Sequence, residues 1–156
     1  MSWNNIGPEL RSAKSLSIFK KNILKIIRPE KKELFIIQNP NGIKWIFQLR
    51  VGLSPLKTHK KLHNFKDTPD DTCQCNLSAE NTQHFLLKCS NYNTQRQVLF
   101  ETLNPIVLAN NMHDLNDNRM VHLLLYGYEK LKFYENQTVL NGTINFIERT
   151  GRFSQT

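Results

Sequence analysis

Apolar residues in this chain recur mostly at helical spacing, and proline, glycine and asparagine punctuate the runs. Leu16, Phe19, Ile23, Ile26 and Ile27 repeat with Lys20, Lys21, Lys25 and Arg28 between them, and Ser15 and Pro29 supply a start and a stop. This predicts an amphipathic helix over 15–28 whose apolar stripe needs a partner surface. The run Leu34 to Ile37 is too short to assign by period, and Asn39-Pro40-Asn41-Gly42 reads as a turn. Ile43 to Val51 reads as a buried helix with Ile43, Ile46, Phe47 and Arg50 on one side, Trp45 and Leu49 beside them, and Gly52 as its end. Ser54-Pro55 predicts a helix from Pro55 to Asn64, carrying Lys57, His59, Lys60, Lys61 and His63 around Leu56 and Leu62. A polar loop from Phe65 to Asp71 follows.

Beyond it, Thr82 is placed to cap a short helix through Leu87, and Ser90 opens another with Tyr92, Gln95, Leu99 and Leu103 on one face beside Phe100. Asn110 to Asn118 is rich in Asn and Asp and reads as a linker. Met120 to Leu125 and Glu135 to Ile147 complete the set; the latter turns Val139, Leu140, Thr143, Ile144 and Ile147 inward and stops at Gly151. The expectation is a mainly α fold with little or no β. It divides into an N-terminal amphipathic segment (1–29), a basic helical module (30–109) and a linker with a C-terminal helical pair (110–156).

Charge sharpens this picture. Residues 1–66 hold 14 Lys/Arg against 3 Asp/Glu, whereas residues 67–156 hold 7 against 10. A basic half beside a mildly acidic one points to a polyanion, nucleic acid above all, although lysine also serves as a plain solvated face. The candidate contacts are Arg50, Lys57, His59, Lys60, Lys61, His63 and Lys66. No run approaches the ~20 apolar residues of a membrane span, and Met1 to Pro29 interleaves lysines where a secretion signal would have an apolar block. A nuclear or cytoplasmic setting is expected, with no membrane and no small-molecule substrate as partner. In that reducing setting thiols bind metal more often than they pair.

The three cysteines fall in one run, Cys73-x-Cys75-x8-His84-x4-Cys89. Three thiols and an imidazole suit a closed tetrahedral Cys3His zinc site, which leaves no open position and so predicts a structural Zn2+. C-x-C is less diagnostic than C-x-x-C, and four ordinary residues remain the alternative. In an ideal helix His84 and Cys89 would stand about 7.5 Å apart along the axis and point ~140° apart. The spacing therefore requires the helix to end between them. Other candidates carry less. Asp70-Asp71 reads as a loop pair, His59 and His63 lack the glutamate of H-E-x-x-H, and His113 and His122 have no nameable partners. Trp45 and Phe47 sit at core spacing, and there is neither a Gly-rich phosphate loop nor G-x-S-x-G. Asn136-Gln-Thr138 and Asn141-Gly-Thr143 match the glycosylation sequon as chance occurrences in an Asn-rich chain.

The cysteine–histidine run, followed by Tyr92 and Arg96, resembles the motif near the C-terminal end of non-LTR (LINE-type, jockey-like) retrotransposon polyproteins, downstream of their reverse transcriptase. Leu49 to Leu56, then His59 and Phe65, resemble the leader of that motif. Trp3-Asn4 through Phe19-Lys20 resemble the close of the reverse-transcriptase region. Leu124 to Gly127, Thr143 to Ile147 and Arg152-Phe153 resemble the tail. The resemblance implies Cys73, Cys75, His84 and Cys89 as zinc ligands, and RNA or DNA and the polymerase region of the same element as partners. It does not carry over polymerase activity, since a catalytic Asp-Asp turn and its palm are missing from this sequence, and the expectation is a non-catalytic fragment. A protein-interaction scaffold and an inert relic are the other readings. Asn76 stands where such motifs commonly place glycine, and Asn tolerates the left-handed conformation next best.

Overall fold

A computed structural model describes residues 36–154; the helix expected at 15–28 lies outside the described residues. Five α-helices follow one another: α1 (Pro40–Val51), α2 (Lys57–Leu62), α3 (Asn93–Ala109), α4 (Asp117–Tyr126) and α5 (Phe133–Thr150). Between α2 and α3 lies a loop, then a wide helical turn (His84–Lys88) and a tight one (Ser90–Tyr92). The fold is mainly helical; the only β pairing among the described residues is an isolated antiparallel bridge between Thr72 and Ala79.

Helix α1 begins three residues before the apolar pattern does. Asn39 and Pro40, read as a turn, start it: the Asn39 Oδ1 accepts from Gly42 N at 2.8 Å, and Pro40 sits where a missing N–H costs nothing. Its buried stripe is Gly42, Trp45, Ile46 and Leu49 rather than the side containing Ile43, Phe47 and Arg50. The reason is Gly42, where a Cβ would stand 2.3 Å from Ile144 Cγ2, so α1 and α5 touch backbone to side chain there. Gly52 ends α1 at φ 70, the left-handed stop the sequence predicts.

Helix α2 is shorter than expected, six residues in place of Pro55 to Asn64. Ser54 does not cap it; its hydroxyl accepts from Leu56 N at 3.3 Å and so turns the chain. The first helical N–H, that of Lys57, donates instead to Glu80 Oε2 at 2.9 Å, and Thr58 N donates to the Glu80 carbonyl. A residue 23 positions away thus supplies the helix start.

Helix α5 is the centre of the packing, against α3, α1 and α4. Its inner residues Val139, Leu140, Thr143, Ile144 and Ile147 are buried as predicted, together with Phe146. Gly151 ends it at φ 65. The core centres on Phe85, whose ring lies 5.4 Å from Tyr92, 5.4 Å from Phe146 and 5.5 Å from Phe153. Four aromatic rings at these spacings add edge-to-face and tilted contacts to their area burial. Asn136 is buried and engaged with Tyr128 N, Tyr128 O and Leu131 O, so its sequon match is spent on fixing the α4–α5 connection.

Candidate metal centre

The loop before α3 folds back on itself as a short hairpin. Cys73 N donates to Ser78 O at 2.9 Å and Glu80 N to Asp71 O at 2.7 Å, on either side of the Thr72–Ala79 bridge. At its tip Asn76 N donates to Cys73 O at 2.9 Å, and Asn76 takes φ 60. That left-handed residue makes the turn tight enough for two cysteines one residue apart to point the same way.

The chain then enters the wide turn at His84. Asn81, not Thr82, opens it, with Oδ1 accepting from His84 N at 2.8 Å. Cys89 N donates to His84 O at 2.8 Å, a bond spanning five residues rather than four. The helical turn ends at Lys88, between the two ligands as the spacing requires, but not by ordinary α-helical geometry. It widens by one residue, and Cys89 caps it with an extended ψ of 121.

The result is convergence. The three Sγ atoms and the His84 nitrogen all lie within 4.8 Å of one another. Cys73 Sγ stands 3.6 Å from Cys89 Sγ, and Cys75 Sγ 3.1 Å from His84 Nε2. Cys73, His84 and Cys89 are buried, while Cys75 is half-buried. The other imidazole nitrogen, Nδ1, lies 2.7 Å from Ser78 Oγ, which orients the ring so that Nε2 faces the thiols. Burial pushes the Cys73 thiol up and carries Cys89 up to about 12, whereas the Leu77 N–H holds Cys75 down at about 6. Buried thiols of this kind become thiolates when a cation shares the site. The four residues can hold a metal ion.

Three side chains outside the four ligands support this group. Arg96 is buried, and its guanidinium donates to Leu86 O at 3.0 Å, Phe85 O at 3.4 Å and Cys89 O at 2.7 Å. It satisfies the carbonyls that the wide turn leaves open at its end. Glu80, 3% exposed, pairs with Arg152 through two parallel bonds of 2.8 Å, and Arg152 also donates to Pro55 O at 2.8 Å. This ties the end of α5 to the hairpin and to α2. Arg96 had a signal, its place just after the motif; the Glu80–Arg152 pair, 72 residues apart, had none.

The candidate nucleic-acid residues are placed unequally. Arg50 turns inward: its Nε donates to Leu125 O at 2.8 Å and its guanidinium lies over the Tyr126 ring at 4.7 Å. His59 bridges Ser54 Oγ at 2.7 Å and Thr82 Oγ1 at 3.4 Å. Lys57 Nζ donates to Thr72 O, and His63 Nε2 contacts Gly52 O at 3.2 Å. Lys60 and Lys61 make ion pairs with Asp67 (3.2 Å) and Asp71 (2.9 Å), and Lys66 is exposed. Asp70, next to Asp71, accepts from Thr72 N at 2.7 Å, the role of a loop residue. Trp45 belongs to the core, edge-on to Phe153. His113 is exposed, and His122 stacks on Tyr126. Among the described residues no helix is long and apolar enough to cross a membrane.

Comparison with family models, with curated proteins and with solved structures returns no match for this chain.

Proposed function

We propose that this chain is a non-catalytic module, stabilised by one structural Zn2+, that binds RNA or DNA as the C-terminal part of a LINE-type reverse-transcriptase polyprotein. The observation that carries the reading is the convergence of Cys73, Cys75, His84 and Cys89. Two sulfurs on a tetrahedral zinc at ~2.3 Å stand about 3.8 Å apart, and the Cys73–Cys89 separation is 3.6 Å. Four protein ligands leave no position for substrate, so the ion would hold structure rather than activate water. The left-handed Asn76, where the resembling motif places glycine, agrees with that origin. Lys60, Lys61 and Lys66 would supply phosphate contacts; the first two must exchange weak surface ion pairs for them.

Two measurements test this. The purified chain should carry one equivalent of zinc, and Cys89→Ser should lose both metal and helical signal; folded, zinc-free parent protein would refute the site. With about three phosphate contacts, affinity for single-stranded RNA should fall ~20-fold between ~50 and ~200 mM salt. Affinity that stays flat would refute the electrostatic reading.

A second reading, a scaffold docking on the polymerase region, draws on exposed apolar residues around α2. Leu53, Leu62 and Phe65 are 56%, 60% and 53% exposed. Capture of the polymerase region without any gel shift on nucleic acid would favour it.

A further inference from the structure

Away from the metal centre, α3 and α5 run antiparallel and leave a groove of about 270 Å3 between them. The direction follows from two contacts: Asn110 Nδ2 reaches Glu135 Oε1 at 3.3 Å, while the Gly142 position approaches Leu99 and Leu103. Gln95 and Arg149 therefore share one end of the groove, one residue from the Arg96 that holds Cys89 O. The exposed Val98 forms an apolar wall over a floor of the buried Leu99, Phe146 and Gly142. The rim carries three carboxamides, Gln95, Asn141 and Asn145, and the Arg149 guanidinium. None of these four side chains makes a hydrogen bond or ion pair among the described residues, whereas the neighbouring Thr102 and Thr138 hydroxyls are spent on their own helix backbones.

We infer that this groove takes a single nucleobase of a single-stranded nucleic acid. A carboxamide offers a donor and an acceptor side by side, the pattern that matches a base edge. The apolar Val98 wall matches the base face, and one guanidinium at the end matches the adjoining phosphate. The volume falls just below the ~300–1,000 Å3 of pockets for drug-sized ligands, which suits one base rather than an extended ligand. The inference rests on the nucleic-acid reading above, and adds to its charge-based grip a site that senses whether bases are present.

The test compares two strands of about twelve nucleotides, within the usual span of single-strand binding sites. One is a mixed-sequence RNA and the other an abasic phosphodiester of equal length, each titrated into the zinc-loaded full chain by fluorescence anisotropy. The expected result, from the carboxamide contacts to one base edge, is binding about tenfold tighter for the base-bearing strand. Asn141→Ala combined with Asn145→Ala should bring that preference to within about twofold while leaving affinity for the abasic strand unchanged. Both residues are exposed, so the variant keeps the fold, which its zinc content and circular dichroism verify. Equal affinity of the parent for both strands, as a groove built for a protein segment would give, overturns the inference but leaves the charge-based reading standing. So does a preference that survives in the double variant. Binding of neither strand overturns both.

Discussion

Replacing Arg152 by methionine tests how the end of the chain holds the metal loop. Methionine keeps the length and apolar stem of the side chain but removes its charge and donors. The substitution deletes both 2.8 Å bonds to Glu80 and the bond to Pro55 O, leaving a carboxylate 3% exposed with the Lys57 N–H as its remaining partner. Burial alone pushes the Glu80 carboxyl up; Arg152 and then the Lys57 N–H outweigh it and hold it below its ordinary value. Breaking a buried pair from one side costs about 3–5 kcal/mol, because the surviving charge stays desolvated. Against a total of about 5–15 kcal/mol for a domain, that is a large fraction. The assay is urea unfolding of zinc-loaded protein at neutral pH, followed by circular dichroism, with Glu80→Gln and the double variant completing a cycle. Glutamine retains an oxygen for Lys57 N and carries no charge to strand. Arg152→Met should therefore cost about 2 kcal/mol less on the Glu80→Gln background than in the parent. A cost below about 1 kcal/mol in the parent, or the same cost on both backgrounds, refutes the reasoning.

Two further outcomes follow from the packing and from charge. Gly42→Ala places a Cβ 2.3 Å from Ile144 Cγ2, and the overpacking should destabilise the fold by about 1–3 kcal/mol in the same unfolding assay. An unchanged midpoint would show that α1 and α5 part freely. Burial, with a smaller push from His63, holds His59 below its ordinary value, so its folded form resists protonation more than its unfolded form. Its contribution is complete above the unfolded value of about 6.5 and is lost as pH falls below it. The parent should therefore lose stability relative to His59→Gln between pH ~7 and ~5.5; parallel curves would refute this.

The legible parts of the fold were those written locally. Gly52 and Gly151 announce helix ends because only a left-handed residue closes them, and the inward face of α5 follows from period alone. The four candidate ligands needed only their spacing. What escaped was set by partners distant in sequence. Asn39-Pro40 is as good a helix start as a turn, and which it becomes depends on Gly42 meeting Ile144. Ser54-Pro55 lost its role because Glu80 already serves the α2 N-terminus. The basic stretch from Arg50 to Lys66 was visible, but not that Arg50 and His59 are consumed inside the fold, since a cation's partner is a matter of tertiary position.

The wide turn at His84–Lys88 has a consequence for how this stretch can change. Its geometry is a count rather than a composition: one five-residue bond sets where Cys89 arrives. The exposed Lys88 can vary in chemistry while that count stands. Were the same residues to relax to ordinary four-residue bonding, Cys89 would point ~140° away from His84 round the helix, out of reach of the other ligands. All four ligands would still be present, correctly typed and correctly spaced, and the centre would be gone. The tolerance of this segment is thus to substitution for as long as that bond stands, which makes the wide turn, and not the residue count alone, the feature that delivers Cys89 to the centre.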